Sequence, residues 1–375
     1  MIIKQLYSCT PPMRSVHSAC RESNFELLRI IAMFLIVLIH LCGYGISNEQ
    51  YLGGMRLNKA IYAASRISGN VGNSIFFMLT GYFLVQSEMK LAKIKKLFFQ
   101  VLFYVFIALL VFIIPYKFGF YNYPDLEKKQ ILHFLFNLTY PISGGTWWFI
   151  TTYTLLYFIS DSINKYLRPL TRKQFLILLT IMLILNAFRW TNSGIYNPLL
   201  SVSFAYAIGA FFRIHIQKVE LQFYKYYVAI LIVFLLWCIG SYAEMYVIQH
   251  FSPELSIKQK LLAMIINCVK GIPTLVISCI LFYLAMNTHI TYNKFINYVS
   301  SCTLAVYLFH ESPFAGQLLW KKIFNVSIQF ESKYFGVFVL CDILAVFLMT
   351  IVLETLRRNI LCVCSSRRPK RAILV

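Results

Sequence analysis

The stretch NFELLRIIAMFLIVLIHLCGYG, residues 24–45, is apolar and long enough to cross a membrane as a helix, yet it carries Glu26, Arg29 and His40. Apolar runs of about 17–25 residues recur along the chain, and this length spans the hydrocarbon core of a bilayer as a helix. The runs are continuous rather than alternating, so they predict helices and not the strands of a barrel. We therefore expect an all-α polytopic membrane protein.

The composition agrees with this fold class. Of the 375 residues, 59% are hydrophobic and 13% are charged, whereas average usage in soluble domains includes about 25% charged residues. We predict about ten transmembrane helices within one integral domain, residues 24–358, between an N-terminal extension, 1–23, and a basic tail, 359–375. The extension lacks the apolar core of a cleaved signal peptide. The ten predicted spans lie near 25–45, 66–85, 97–115, 146–164, 174–190, 198–212, 226–248, 271–288, 298–314 and 335–356.

The net charge of +21 first suggests a nucleic-acid partner. Its distribution favours another explanation. With a cytoplasmic N-terminus, the segments outside the spans hold 21 basic residues on the inner side and 10 on the outer side. Short cytoplasmic loops of membrane proteins are enriched in Lys and Arg, so this bias predicts an N-in/C-in topology. The charge thus indicates contact with anionic membrane lipid and no nucleic-acid partner.

The polar groups of the first span follow a helical pattern. Arg29 and His40 are 11 residues apart, which is three turns plus about 20°, so both project from nearly the same face. The rise between them is about 16 Å, and Glu26 lies three residues before Arg29, where the two can pair. Because such groups are costly against lipid, the pattern predicts the wall of a polar cavity. Alternatively, Arg29 anchors the helix at the headgroups and His40 only bonds a neighbouring helix.

Two further segments carry candidate site residues. The segment 66–84 begins at Arg66 and contains small residues that suit close helix packing. The segment 300–314 contains His310 and Glu311 near its end, at a depth where an interfacial position is an equally good explanation.

Motifs of several enzyme classes are absent from the sequence. It contains no Walker loop, dinucleotide fingerprint, GxSxG elbow or HExxH motif, which disfavours a nucleotide-driven machine, a serine hydrolase and a zinc protease. The ten Cys residues lack the spacing of a zinc site. We therefore expect no metal site and no bound cofactor.

Four motifs in order resemble the acyltransferase 3 family of bacterial integral-membrane acyltransferases. Arg29 and His40 match its Arg-x10-His signature, and Glu26 matches the acidic residue before the Arg. FFMLTG at 76–81 is similar to the family's FFxxSG, with Thr in place of Ser. The other two motifs are GGTWWFITTYTLLYFIS at 144–160 and TLAVYLFHESP at 303–313, the latter with Ala where Gly is usual.

The resemblance implies an O-acyltransferase of the bacterial cytoplasmic (inner) membrane. Its donor would be cytoplasmic acyl-CoA, usually acetyl-CoA, as a co-substrate. Its acceptor would be a hydroxyl of a cell-surface polysaccharide or of its undecaprenyl-linked precursor. The expected roles are donor binding for Arg29 with Glu26, proton removal for His40, and tunnel or acceptor contacts for a further group. That group comprises Arg66, Phe76, Phe77, Gly81, His310 and Glu311. Phe76, Phe77 and Gly81 are the tunnel candidates, expected to pack around the acyl tunnel. His310 and Glu311 are expected to line its outer half, as acceptor contacts or as a partner to His40.

A glycan or glycolipid transporter without acyl-transfer chemistry remains the alternative. Both classes need a polar cavity with buried charges inside the membrane. Only the enzyme needs to bind and consume acyl-CoA, so the donor discriminates between them.

Overall fold

The computed structural model describes residues 21–366 except 124–128, 130–131, 133–134, 137–138, 143–146, 192–197 and 251–256. Most of the predicted extension, the end of the basic tail and the start of the 144–160 motif therefore lie outside the described residues. All regular structure within the described residues is helical. The longer helices are α1 (Ser23–Gly45), α3 (Arg56–Leu84), α4 (Leu91–Lys117), α5 (Trp148–Leu167), α6 (Arg172–Thr191), α7 (Pro198–His215), α8 (Phe223–His250), α9 (Ile257–Asn287) and α14 (Phe335–Ser366). The shorter ones are α2 (Asn48–Gly53), α10 (Lys294–Ser301), α11 (Thr303–His310), α12 (Pro313–Gln317) and α13 (Val326–Phe330), with a π-helical turn at Leu318–Ile323.

Five helical segments among the described residues are long and apolar enough to cross a membrane. This finding confirms the prediction of an all-helical chain with membrane-spanning helices. The number of ten spans and the N-in/C-in orientation stay predictions. The five segments are Ser23–Gly45, Leu91–Lys117, Pro198–His215, Tyr224–Ala243 and Phe335–Cys362.

The predicted span 298–314 is divided into α10 and α11 rather than forming one helix. At the junction, the N–H of Cys302 bonds the carbonyl of Val299, three residues back, at 2.9 Å. The hydroxyl of Thr303 also donates to the carbonyl of Ser300 at 2.9 Å. Local side-chain and three-residue hydrogen bonds thus compete with the regular α-helical pattern and interrupt it. The break places α11 as a separate short helix beside α1 and α14.

Close packing of α1, α3 and α7 sets the positions of the site-bearing helices. A Cβ atom at Gly72 of α3 would lie 2.5 Å from the carbonyl oxygen of Ala32 on α1. A Cβ atom at Gly81 of α3 would lie 2.0 Å from the carbonyl oxygen of Tyr206 on α7. Only glycine allows these backbone approaches, as is typical of membrane helix interfaces. α3 is therefore held between α1 and α7, and residues from its last third, between Phe76 and Leu84, line a cavity.

Candidate active site

His40, His310 and Glu311 form one cluster. Nδ1 of His40 lies 2.9 Å from Nε2 of His310 and 2.8 Å from Oε2 of Glu311. His310 closes α11 and is fully buried, whereas the His40 side chain keeps 18% of its surface exposed. Tyr44, one turn after His40 on α1, donates its hydroxyl hydrogen to Oε1 of Glu311 at 3.0 Å. The predicted proton acceptor is thus directly linked to two residues from the late 303–313 motif.

The hydrogen-bond partners assign the tautomers of both imidazoles. Nδ1 of His310 lies 2.5 Å from the carbonyl oxygen of Val306, which only accepts, so this nitrogen carries the hydrogen. Neutral His310 then has its lone pair on Nε2. Nδ1 of His40 must therefore carry the hydrogen that lies between His310 and Glu311. This leaves the lone pair of His40 on Nε2, with a carboxylate on the opposite nitrogen to stabilise the imidazolium after protonation.

The same three residues offer ligand atoms within 4.8 Å of one another, which would suit a divalent cation. The bond from His310 to the Val306 carbonyl is the kind of contact that also orients metal-ligating histidines. In the present arrangement, however, Nδ1 of His40 faces the two groups that would be its fellow ligands, and it is hydrogen-bonded to Nε2 of His310. No role for a metal follows from this arrangement, and the effect of a chelator on activity tests the alternative of a bound cation.

Glu26 and Arg29 form a second polar group, near the start of α1. The guanidinium of Arg29 donates to Oε1 of Glu26 at 2.6 Å, and the hydroxyl of Ser300 donates to Oε2 at 2.5 Å. Glu26 is buried, with 5% exposure. A buried carboxylate held from both sides fixes the guanidinium in one orientation, because both of its oxygens are satisfied. Arg29 is thereby presented to the adjacent cavity as an oriented cation.

The cavity has a volume of about 460 Å³ and lies between α1, α3, α4, α5, α10 and α11. Four cationic residues line it, against the single carboxylate of Glu26. Deeper walls are apolar or aromatic and include Met33, Phe76 and Leu304. The cavity therefore suits an elongated ligand with an anionic end and an apolar or neutral end. The four cationic residues are Arg21, Arg29, Lys93 and Lys96.

The predicted cavity wall is only partly continuous. Glu26, Arg29, Met33 and Ile36 line the cavity from one face of α1, but His40 is not among the lining residues. The cavity ends one helical turn before His40 on α1 and one turn before His310 on α11, where Tyr307 stands. The cavity and the histidine cluster are therefore adjacent along one face of α1.

The other residues predicted for the site differ in whether they reach the cavity. Phe76 lines the cavity, whereas Phe77 is buried behind it with its ring centroid 4.8 Å from that of Phe149. Gly81 contacts the backbone of α7 and does not line the cavity. At this position the segment therefore serves helix packing. Arg66 is exposed, and its guanidinium lies 3.7 Å from where a Cβ of Gly43 would be. Of the three tunnel candidates, one touches the cavity.

Sequence reasoning missed several residues of the site. Lys93 and Lys96 were used only to predict the orientation in the membrane, although their three-residue spacing places both on one helix face. Tyr44 lies four residues after His40 and so on the same face of α1, and the helical periodicity could have identified it. Ser300 and Tyr307 carried no signal of their own, because their roles depend on how α10 and α11 pack against α1.

The sequence profile of a family described as an acyltransferase domain matches residues 22–354. The chain belongs to the acyltransferase 3 family. The resemblance drawn from the four motifs is thereby confirmed over nearly the whole chain. No curated protein and no solved structure matches it significantly. Family membership makes the chain an acyltransferase, and its apolar helices make it a multi-pass membrane protein.

Proposed function

We propose that this acyltransferase 3 protein moves an acetyl group from cytoplasmic acetyl-CoA to a hydroxyl of a cell-surface polysaccharide or its undecaprenyl-linked precursor. The bacterial inner membrane is the proposed location. The observation that carries the proposal is the cluster in which Glu311 and His310 leave Nε2 of His40 with its lone pair. A neutral imidazole oriented by a carboxylate is the arrangement that general-base activation of a hydroxyl requires.

We call the cavity of about 460 Å³ the donor cavity, and its lining supports a CoA ester as the acyl source. Four cationic residues against one carboxylate favour a ligand with several negative charges. Arg29 is the residue best prepared to hold a phosphate, because its guanidinium is planar, permanently charged and already oriented by Glu26. The apolar walls beyond it suit the thin neutral arm that joins the phosphates of CoA to its thioester.

The separation of the two polar groups favours an elongated donor. Arg29 and His40 are three turns apart on one face of α1, which is about 16 Å along the axis. A compact donor bound at Arg29 would not reach His40. A CoA ester spans such a distance with its anionic end at Arg29 and its thioester towards the histidine cluster.

The proposed transfer is a direct attack on the thioester. The acceptor hydroxyl gives its proton to Nε2 of His40 while its oxygen bonds to the thioester carbon. The carbon–sulfur bond then breaks, and the proton passes from His40 to the departing thiolate, which leaves an O-acyl ester and free CoA thiol. Glu311 stabilises the imidazolium between the two proton transfers, and it does not itself become protonated.

Acyl transfer in inverted membrane vesicles tests the proposal. Radiolabelled acetyl-CoA is supplied to the cytoplasmic face of vesicles containing the native glycan, and alkali-labile label in the glycan is counted. Wild type should incorporate label, and His40→Ala should lose activity by a factor of ~10²–10⁴, the usual contribution of a general base. The matched control is His289→Ala, which removes an exposed histidine outside the cluster and should retain activity. Silence of the wild type, with glycan export still dependent on the protein, would favour the transporter.

A further inference from the structure

Four side chains close the donor cavity at the end nearest the histidine cluster: Ile36, Phe76, Phe149 and Tyr307. We call this set the closing layer. Each residue lines the cavity, and the layer draws one residue from each of α1, α3, α5 and α11. On α1 the next turn after Ile36 carries His40, and on α11 the next turn after Tyr307 carries His310. The layer therefore separates the donor cavity from the proposed base.

Three aromatic rings of the closing layer form a continuous row. The ring centroids of Phe76 and Phe149 are 5.9 Å apart, and those of Phe149 and Tyr307 are 5.4 Å apart. The row continues to the histidine cluster, because the Tyr307 and His310 centroids are 6.2 Å apart in an edge-on arrangement. Tyr307 is 3% exposed and Ile36 is 2% exposed. A passage from the cavity to the histidine cluster would therefore have to open between these rings.

The charge distribution decides which end of the donor meets this layer. The cationic residues lie at the other end of the cavity, around Arg29 and Lys93, which is where the proposed donor would place its phosphates. The acyl group is therefore the end of the donor that meets the closing layer, and it has to pass between Phe149 and Tyr307 to reach His40. The acyl group is thus the part of the donor whose width and polarity the closing layer can sense.

We propose that the closing layer is a size filter for the acyl group, with Tyr307 and Phe149 as its specificity-determining residues. The inference rests on the proposed function, since it needs an acyl-CoA donor in the cavity. The layer admits a small unbranched acyl group such as acetyl. It rejects branched groups because the rings cannot separate far enough, and it rejects carboxylated groups because a charge between apolar rings loses its hydration.

A panel of acyl-CoA donors tests the filter in inverted vesicles that contain the native glycan. The readout is the ratio of kcat/KM for isobutyryl-CoA to that for acetyl-CoA. One methylene more or less in a hydrophobic pocket changes such ratios by about 10–200-fold. Tyr307→Ala should therefore raise the ratio at least about tenfold above that of wild type. Phe149→Leu, at a half-buried position where misfolding is less of a risk, should raise it in the same direction.

Two control variants separate the filter from general effects on the cavity. Tyr153→Ala removes an equal volume from the same cavity on the next turn of α5 after Phe149, outside the closing layer, and should leave the ratio at the wild-type value. Tyr307→Phe keeps the ring and removes the hydroxyl, and should also keep the wild-type ratio. Elution of each detergent-purified variant as a single species verifies folding.

The outcomes distinguish the filter from the proposed function. If wild type transfers acetyl from acetyl-CoA but both Tyr307→Ala and Phe149→Leu keep its donor ratio, the filter is wrong and the proposed function stands. If wild type transfers no acyl group from any CoA ester, both fall together. A ratio that rises equally in Tyr153→Ala would assign selectivity to the whole cavity rather than to the closing layer.

Discussion

Nδ1 of His40 lies 2.8 Å from the Glu311 carboxylate, although the two residues come from the first long helix and from the junction that follows α11. The contact selects the tautomer of His40 and places a negative charge where an imidazolium would form. In the proposed mechanism it orients a half-buried histidine as the base.

Glu311→Gln tests this relationship. The substitution preserves the shape of the side chain but removes the charge, and the amide nitrogen can donate to His40 and favour the wrong tautomer. We expect kcat to fall by a factor of ~10²–10⁴, the range of general-base contributions. KM for acetyl-CoA should change little, because Glu311 lies beyond the closing layer. Steady-state kinetics with varied donor concentration measure kcat and KM separately, and an unchanged kcat would contradict the role assigned to Glu311.

Tyr44→Phe provides a graded comparison. The tyrosine hydroxyl donates to Glu311 at 3.0 Å and the ring stacks on His40 at 5.6 Å between centroids. Phe keeps the stacking and loses one hydrogen bond to a carboxylate, about 1.5–3 kcal/mol in a typical case. We expect a smaller fall in kcat than for Glu311→Gln. Activity as low as that of Glu311→Gln would indicate that Tyr44 itself takes part in proton transfer.

The metal alternative is tested by adding a divalent cation and then removing it with a chelator. The activity of each variant relative to wild type should not change. A loss of activity that depends on the chelator would favour a bound cation at the cluster.

Arg29→Lys should weaken donor binding rather than the chemical step. Lysine keeps the charge but cannot reproduce the planar guanidinium that Glu26 orients, so one oriented contact to a phosphate is lost. We expect KM for acetyl-CoA to rise by about tenfold, equivalent to ~1.4 kcal/mol, with kcat recovered at saturating donor. Arg172→Lys, on α6 away from the cavity, is the matched control and should leave KM unchanged. A loss of kcat that excess donor does not restore would place Arg29 in the chemistry.

The periodicity of α1 predicted correctly that Glu26 and Arg29 would pair, because a three-residue contact depends only on the helix. The contact between His40 and His310 joins residues 270 positions apart. It depends on how α11 packs against α1, and no local pattern encodes that geometry. The same reason explains why Phe77 and Gly81, although adjacent in sequence to Phe76, face a helix interface instead of the cavity.

Gly81→Ala should destabilise the protein by overpacking. The added methyl group would lie 2.0 Å from the carbonyl oxygen of Tyr206, so α3 and α7 would have to separate. Overpacking of this kind typically costs ~1–3 kcal/mol. We expect a lower midpoint of thermal unfolding in detergent. Gly53→Ala is the matched control, because nothing lies within 4 Å of its Cβ position. Equal midpoints for the two variants would show that the α3–α7 contact is looser than the structure indicates.

Glu354→Gln should lower both stability and donor affinity, although Glu354 does not line the cavity. Glu354 is fully buried and receives hydrogen bonds from Arg357 at 2.7 and 2.8 Å and from Arg358 at 2.9 Å. Arg358 also donates to the carbonyl of Ser301 at 2.8 Å, so the cluster ties α14 to the junction of α10 and α11. Removing the carboxylate leaves buried guanidinium charge without its counter-ion.

Breaking a buried ion pair by removing one partner typically costs ~3–5 kcal/mol. We therefore expect Glu354→Gln to lower the thermal midpoint more than Gly81→Ala does. The exposed Glu331→Gln, which makes the same chemical change outside the cluster, should leave it unchanged. Because the α10–α11 junction also positions Ser300 against Glu26, the variant should additionally raise KM for acetyl-CoA. A stable variant with normal donor affinity would show that α14 does not hold this junction in place.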